Sequence, residues 1–191
     1  MAGARATPYV SYADYLAAER DSDVKHEWFD GAVYAMSRTT PEHARLSSRV
    51  GWALGNALGR ECEVYSGDLM LYVTDVKLST YADGSIVCGP LETVTVKKNG
   101  NSIGEAVTNP AVIIEVLSDS TERYDREEKF GYYRRMPSLE AYVVVSQDEQ
   151  LIEVYGRIDG GGRWPCTVAR GGAQITIHGV TVAVDDVYGA R

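Results

Sequence analysis

Three ionisable residues in or beside apolar segments are the first candidates for chemistry in this sequence. Asp83 precedes the apolar segment SIVCG, Glu115 lies inside the apolar segment AVIIEVLS, and Lys129 follows in a charged segment. Two carboxylates brought side by side repel each other unless a cation lies between them. Mg²⁺ binds hard oxygen ligands, commonly one or two carboxylates, and can activate a water for attack on a phosphodiester. If the three residues converge, they would form a hydrolytic metal site in which the lysine stabilises charge on the phosphate.

Each of these residues also has an ordinary structural interpretation. An aspartate at the start of a strand commonly belongs to a turn, and a glutamate near the end of a strand can face solvent. A lysine on a charged helix is usually solvated along its whole length. Residue type and spacing alone therefore leave the functional and the structural interpretations open.

Two helices and a hairpin are predicted in the first third of the chain. Residues 11–20 (SYADYLAAER) have Ser11 as an N-cap, and residues 40–60 have Pro41 at the first helical position. Apolar residues recur at helical spacing in both segments. The segment HEWFDGAVYAMS between them predicts a hairpin that turns at Asp30–Gly31.

Strand patterns dominate the remaining two thirds. The passage 111–117, 121–135 and 141–146 reads as strand, helix and strand, which predicts a right-handed crossover and parallel pairing. The other strands are expected to be connected by hairpins. The sequence therefore predicts one domain, 1–191, of the α/β or α+β class, in which a mixed sheet is flanked by helices. The strand segments are CEVYSGDLMLYV, SIVCG, AVIIEVLS, EAYVVVS, LIEVYGRI, RWPCTVA and ITIHGVTVAV.

The net charge of −8 argues against binding of nucleic acid through overall positive charge. This charge leaves open a local basic groove formed by a few lysine and arginine side chains. These side chains are equally compatible with a solvated surface. The candidates are Lys97, Lys98, Arg123, Arg126, Arg134 and Arg135.

The cysteines and the hydropathy pattern bear on the cellular compartment. Cys62, Cys88 and Cys166 are odd in number, lie far apart and form no C-x-x-C motif, so reduced thiols are expected rather than a zinc cluster or a disulfide. The first 20 residues have no apolar signal region, and no apolar run approaches the ~20 residues that span a membrane. A cytoplasmic protein without a membrane partner is expected.

Several segments together resemble the Uma-two family of restriction-endonuclease-like proteins, a bacterial branch of the PD-(D/E)XK nuclease superfamily. The resemblance covers nearly the whole chain and is most specific in NPAVIIEVLSDSTERYDREEKFGYYRRMPSLEAYVVVSQDEQLIEVY. It also includes SYADYLAAE, KHEWFDGAVYAM, PEHARLSSRVGWAL and TYADGSIVCG. It implies a restriction-endonuclease-like fold with additional hairpin strands, and an endonuclease that uses Mg²⁺ (or Mn²⁺) to hydrolyse phosphodiester bonds in DNA.

The resemblance implies a role for each central residue. Asp83 and Glu115 match the two acidic positions of the family motif and would hold the metal, with the backbone carbonyl of Val116 as a third ligand. The superfamily lysine, two residues after the acid, is Leu117 here. The family lysine on the following helix corresponds to Lys129, which would position the water or stabilise the transition state.

Two further residues match family positions, each with an alternative. His43 matches a histidine near the start of the long helix, and either a direct catalytic part or a structural part is compatible with that position. Glu27 matches an acidic position and would extend the metal site. Its alternative is an ordinary hairpin residue that pairs with Lys25 or Arg38.

Two departures from the family pattern leave two functions in view. Ala82 replaces the proline of the Pro-Asp motif, which supplies no ligand. Ala32 replaces a glutamate of the hairpin, and loss of a metal ligand there would weaken or abolish activity. The first function is a metal-dependent endodeoxyribonuclease, acting as a homodimer to cut both strands. The second is an inactive nuclease-fold domain that binds nucleic acid or protein. A serine hydrolase built on His43 lacks support, since no G-x-S-x-G motif is present.

Overall fold

The structure is a computed structural model that describes residues 8–37, 39–98, 100–118, 122–158 and 162–189. The predicted helices are present, with Ser11 capping the first and Pro41 opening the second. Among the described residues, no helix is both long and apolar enough to cross a bilayer. The helices are α1 (Tyr12–Glu19), α2 (Pro41–Ala57), α3 (Phe130–Tyr133) and α4 (Val184–Tyr188), with a 3₁₀ turn at Thr74–Val76.

The helix predicted over 121–135 has an unusual first part. Tyr124–Lys129 is π-helical and continues directly into α3. Such π-helical turns are rare and occur frequently at functional sites. Thr121, the first residue of the prediction, lies outside the described residues.

The predicted α+β class, with mixed β-structure flanked by helices, is confirmed, and the strands are divided between two six-stranded sheets and one small hairpin. Sheet I has the order β2-β1-β5-β4-β8-β7, sheet II has the order β12-β11-β10-β9-β6-β3, and β13 pairs with β14. Hydrophobic periodicity specifies strands but not their partners, which is why it missed the division. The strands are β1 (His26–Phe29), β2 (Ala32–Ala35), β3 (Cys62–Ser66), β4 (Met70–Val73), β5 (Leu78–Tyr81), β6 (Gly84–Cys88), β7 (Thr93–Lys98), β8 (Asn101–Val107), β9 (Val112–Val116), β10 (Ala141–Val145), β11 (Leu151–Gly156), β12 (Cys166–Arg170), β13 (Gln174–Ile177) and β14 (Val180–Ala183).

The chain passes from one sheet to the other next to Asp83. β5 belongs to sheet I and β6 to sheet II, and only Ala82 and Asp83 separate them. The predicted crossover is confirmed in sheet II, where β9 and β10 are parallel and Glu115 lies opposite Val144. Asp83 and Glu115 therefore both lie where sheet II faces sheet I.

The two faces of β9 belong to two different cores. Ile114 and Val116 pack with the apolar stripe of α2, which includes Leu46 and Val50. The side chain of Ile113 points the other way, into a second core that contains Tyr133 and Tyr142. Because side chains alternate along a strand, Glu115 shares the face of Ile113.

The start of α2 is fixed by Thr40, whose hydroxyl accepts a hydrogen bond from the His43 backbone N–H at 3.1 Å. We expect Thr40→Ala to lower the free energy of unfolding by about 1 kcal/mol, as measured by urea denaturation, because this N–H would lose its partner. Ser48→Ala is the matched control, since the exposed Ser48 hydroxyl only donates to the Ala44 carbonyl within the same helix. Equal losses in the two variants would contradict a capping role.

The expectation of three reduced thiols is wrong for two of the cysteines. Cys62 and Cys88 lie directly opposite each other on antiparallel β3 and β6 and form a disulfide. Cys166 is a free, exposed thiol. Separation along the sequence concealed the pair because the register of β3 against β6 brings together two residues that are 26 positions apart.

Candidate active site

A cleft of about 160 Å³ brings together the side chains singled out in the sequence. Its wall includes His43 from α2, Asp83 from the β5–β6 junction and Glu115 from β9. Val116 and Lys129 complete this part of the wall. Residues from four separate segments therefore converge where sheet II meets sheet I and the start of α2.

Asp83 connects the end of β9 to α2. Its Oδ2 atom accepts a hydrogen bond from the Val116 backbone N–H at 2.7 Å. The same oxygen lies 3.1 Å from Nε2 of His43, and about a fifth of the Asp83 side chain, 22%, remains exposed. The first turn of α2 thus supplies the partner that orients this carboxylate.

The pKa of His43 is raised above its ordinary value of 6.5. Burial alone lowers the pKa of the ring, but the hydrogen bond and the charge of Asp83 outweigh it, with a further contribution from the backbone of Val116. A raised folded-state pKa stabilises the protein fully below pH 6.5. This stability is lost as the pH rises through the folded-state value.

Replacing Asp83 should lower the pKa of His43. In Asp83→Asn we expect this pKa to fall relative to the wild type, since burial is then opposed only by the backbone of Val116 and the charge of Asp125. The measurement is an NMR titration of the histidine ring protons. The chain has 3 histidines, so His43→Gln assigns the signal. An unchanged titration in Asp83→Asn would contradict the pairing.

Lys129 is buried, with 4% of its surface exposed, and three carboxylates surround it. Its Nζ atom lies 2.9 Å from Glu115, 3.5 Å from Glu27 and 3.7 Å from Asp125. Although burial opposes the charged form, these carboxylates raise the pKa of Lys129 well above its ordinary value. The lysine is therefore a fixed positive charge at the back of the cleft.

Glu115 is buried to the same degree, with 3% of its surface exposed. Tyr133 donates a hydrogen bond to its Oε1 atom at 3.0 Å, and Lys129 contacts the same oxygen. Burial raises the pKa of Glu115 well above its ordinary value, and the negative charges of Asp83 and Asp125 add to the effect of burial. The ammonium of Lys129 therefore does not fully offset the burial and the neighbouring negative charges that disfavour the ionised form of Glu115.

Glu27 does not line the cleft. Its Oε1 accepts a hydrogen bond from the Thr80 hydroxyl, and Tyr124 donates to its Oε2 at 3.2 Å. The alternative pairing with Lys25 is wrong, because Lys25 binds Asp68 at 2.6 Å. The other alternative partner, Arg38, lies outside the described residues. Through Lys129, Glu27 is connected to the site without lining the cleft.

The charge of the donor set fits a divalent cation. The carboxylates of Glu27, Asp83, Glu115 and Asp125 face Lys129 and the imidazole of His43, so negative charge exceeds positive charge whether or not His43 is protonated. Among the described residues, these carboxylates do not form a group of three whose ligand atoms all lie within 4.8 Å of one another. Two carboxylates with a backbone carbonyl and waters, the arrangement Mg²⁺ commonly accepts, match the site better than an all-carboxylate cage.

Sequence reasoning missed two contributors to the site. Tyr133 holds Glu115, and it lies four residues after Lys129, so helical spacing could have indicated it. Gln147 lies in the β10–β11 turn, where its side-chain amide donates to the Leu117 carbonyl and accepts from Thr40 at 2.9 Å. No sequence pattern marks Gln147, because its partners are distant along the chain.

The two departures from the family pattern occupy different environments. Ala82 is buried directly before Asp83. Ala32 lies opposite Phe29 beside the hairpin turn, whereas Glu27 lies opposite Tyr34. Ala32 therefore shares the face of Glu27 but lies two residues further along the hairpin.

One member of the suggested basic groove is already paired. The Arg126 guanidinium binds Glu122 at 2.9 Å and also contacts Glu153. Its charge is therefore largely neutralised within the protein. It makes little contribution to a phosphate-binding surface.

Comparisons with known proteins agree with the fold and the resemblance. A family model named Uma2 and described as "Putative restriction endonuclease" matches residues 12–184. Two uncharacterized proteins of Synechocystis sp. are similar to the chain. The protein slr1290 is 32% identical over 184 residues, covering 95% of this chain and 92% of the relative. The protein sll1609 is 29% identical over 166 residues, covering 86% and 90%.

A solved structure is similar over most of the chain. It is the crystal structure of a protein from Anabaena variabilis ATCC 29413, described as a putative nuclease belonging to DUF820. The TM-score is 0.67 at 14% sequence identity, and the match covers 87% of this chain and 91% of that one. At this identity the likeness shows a common fold.

Proposed function

We propose that this chain, which belongs to the Uma2 family described as "Putative restriction endonuclease", is a metal-dependent endonuclease that hydrolyses phosphodiester bonds in DNA. Its fold is shared by a protein described as a putative nuclease belonging to DUF820. The observation that supports this most directly is the convergence of Asp83, Glu115 and Lys129 on one cleft with an excess of negative charge. The fold alone does not indicate an activity, and an excess of negative charge alone does not indicate hydrolysis.

Each residue has a distinct part in this proposal. Asp83, Glu115 and the Val116 carbonyl would hold Mg²⁺ or Mn²⁺. When bound, the ion would lower the pKa of a water and neutralise charge on the phosphate. Lys129 holds the Glu115 carboxylate in place and adds positive charge to the wall of the cleft. His43 is a positioning residue, because its contact is with Asp83 Oδ2.

The remaining elements of the proposal concern Glu27 and the substrate. Glu27 would act indirectly, through its contact with Lys129. The net charge of −8 repels DNA, so the bound cation would supply the positive charge that meets the phosphate. The described part of each chain has one cleft that holds Asp83, Glu115 and Lys129 together, so a homodimer would be needed to cut both strands of a duplex.

The direct test is nicking of supercoiled plasmid DNA by the purified chain in Mg²⁺, in Mn²⁺ and in EDTA. We expect nicked circles with either ion and none with EDTA, while a homodimer adds linear product. Nicking of equal rate in EDTA would contradict the metal-dependent mechanism. Cation binding without any nicking would instead favour the second function, an inactive nuclease-fold domain that binds nucleic acid or protein.

A further inference from the structure

A second cluster of possible metal ligands lies at the edge of sheet II, away from the cleft. It consists of Cys62 at the start of β3, Cys88 at the end of β6 and His178 in the turn between β13 and β14. The Sγ atoms and an imidazole nitrogen all lie within 4.8 Å of one another. Among the described residues, these three side chains form the group of His, Cys, Asp or Glu residues whose ligand atoms all lie this close together.

The orientation of His178 is already that of a metal ligand. Its Nδ1 atom lies 2.9 Å from the Glu140 carboxylate, and its Nε2 atom lies 3.4 Å from Cys88 Sγ. In the neutral ring, a carboxylate that accepts the Nδ1 proton leaves the Nε2 lone pair facing Cys88. A carboxylate–histidine pair of this kind is the usual support of a zinc-bound imidazole.

We propose that Cys62, Cys88 and His178 form a Zn²⁺ site that exists when the two cysteines are reduced and is closed by their disulfide. Two thiolates and one neutral imidazole are a preferred ligand set for Zn²⁺, and the two thiolate charges balance the charge of the ion. Three protein ligands leave the fourth tetrahedral position to a water.

The change of state is a balanced thiol–disulfide exchange. A thiolate of a reducing dithiol attacks one sulfur of the Cys62–Cys88 bond, and the bond breaks with the electron pair on the other sulfur. The second thiol of the reductant resolves the mixed disulfide, so the reductant is oxidised by two electrons and both cysteines become thiols. Zn²⁺ then displaces their two protons. The reverse oxidation needs a disulfide oxidant and releases the ion.

The rearrangement needed to bind the ion is local. Zn–S bonds of ~2.3 Å at a tetrahedral angle place two sulfurs about 3.8 Å apart, which side-chain rotation can provide. The two cysteines lie on the outer strand of sheet II and its neighbour. The disulfide joins only β3 to β6, whereas the metal would also tie the β13–β14 hairpin to that edge.

Zinc binding by the reduced chain tests the proposal. The full chain is reduced with dithiothreitol, freed of reductant without oxygen and dialysed against Zn²⁺, and bound zinc is measured by atomic emission. We expect about one zinc per reduced chain and none at this site in the oxidised chain. Reduced protein should unfold about 5–10 °C higher at free Zn²⁺ near 100 times Kd. Equal binding by both forms, or no binding by the reduced form, would overturn the proposal.

Variants identify the ligands independently of the proposed nuclease. We expect Cys62→Ser and His178→Asn to weaken binding at least about 100-fold, and Glu140→Gln about 10-fold or more. Asparagine suits the positive φ of +47° at residue 178, so this variant should fold. Cys166→Ser is the matched control and should bind zinc as the wild type does. Co²⁺ should give a thiolate charge-transfer absorption in the reduced wild type, and persistence of that absorption in both Cys62→Ser and His178→Asn would also refute the site.

Discussion

Asp83→Asn is expected to reduce metal-dependent plasmid nicking by about 10³-fold or more. A bound divalent ion contributes several kcal/mol to transition-state stabilisation, and about 1.36 kcal/mol corresponds to each factor of ten in rate. Asparagine keeps the size of the side chain and an oxygen for the Val116 N–H, but it removes the negative charge. The variant therefore separates the contribution of charge from that of shape.

The comparison requires measurements of both binding and rate. Calorimetry should show that Mn²⁺ binds Asp83→Asn more weakly than it binds the wild type. Nicking is measured at a saturating concentration of the metal, so that a lower rate is not caused by weaker metal binding. Asp21→Asn makes the same chemical change at an exposed residue that pairs with Arg20, and it should nick as the wild type does. If wild type and Asp83→Asn leave the same residual trace of nicked plasmid, the proposed hydrolase fails.

Lys129→Met is expected to lower the free energy of unfolding by about 3–5 kcal/mol near neutral pH. Methionine fills similar space, but the substitution leaves the buried Glu115 carboxylate without its cation, and breaking a buried pair from one side has this cost. The carboxylates of Glu27 and Asp125 lie near the same Nζ atom and would repel Glu115 more strongly in its absence.

The loss in Lys129→Met should depend on pH with a definite sign. Burial already raises the pKa of Glu115 above its ordinary value of 4.5, and removal of the ammonium raises it further. The folded variant then binds a proton that the unfolded chain releases above pH 4.5. Its stability therefore falls as the pH rises from 4.5 through the folded-state pKa, so the defect is larger at pH 8 than at pH 5.

Urea denaturation at the two pH values provides the measurement, with two comparisons. Lys77→Met removes an exposed ion pair with Asp30 and should leave the free energy of unfolding nearly unchanged. Lys129→Met combined with Glu115→Gln should recover part of the stability, because Glu115 is then no longer left buried and charged, whereas Glu27 and Asp125 still lack the cation. A loss in Lys129→Met that is small or independent of pH would show that the lysine is not the counter-charge of Glu115.

Local sequence was sufficient to predict α1, α2, the helical segment before β10 and several hairpins, but not α4. Ser11 and Pro41 mark the beginnings of their helices because capping and the geometry of proline act within one turn of the chain. The Asp30–Gly31 turn is similarly local, and the parallel pairing of β9 with β10 follows from the handedness of a strand–helix–strand unit. Glu115 stood out because a charge inside an apolar strand is unfavourable wherever that strand lies.

Tertiary structure alone decided which of these residues meet. The division into two sheets places Asp83 at the junction between them, and the π-helical turn before α3 brings Lys129 against Glu115. Gln147 of the β10–β11 turn and the Cys62–Cys88 pair likewise depend on contacts between distant segments. Strand register and sheet order are properties of pairs of segments, and no single segment of the sequence carries them. The sequence by itself thus determined which side chains need a partner in the folded protein, and tertiary packing determined which residues those partners are.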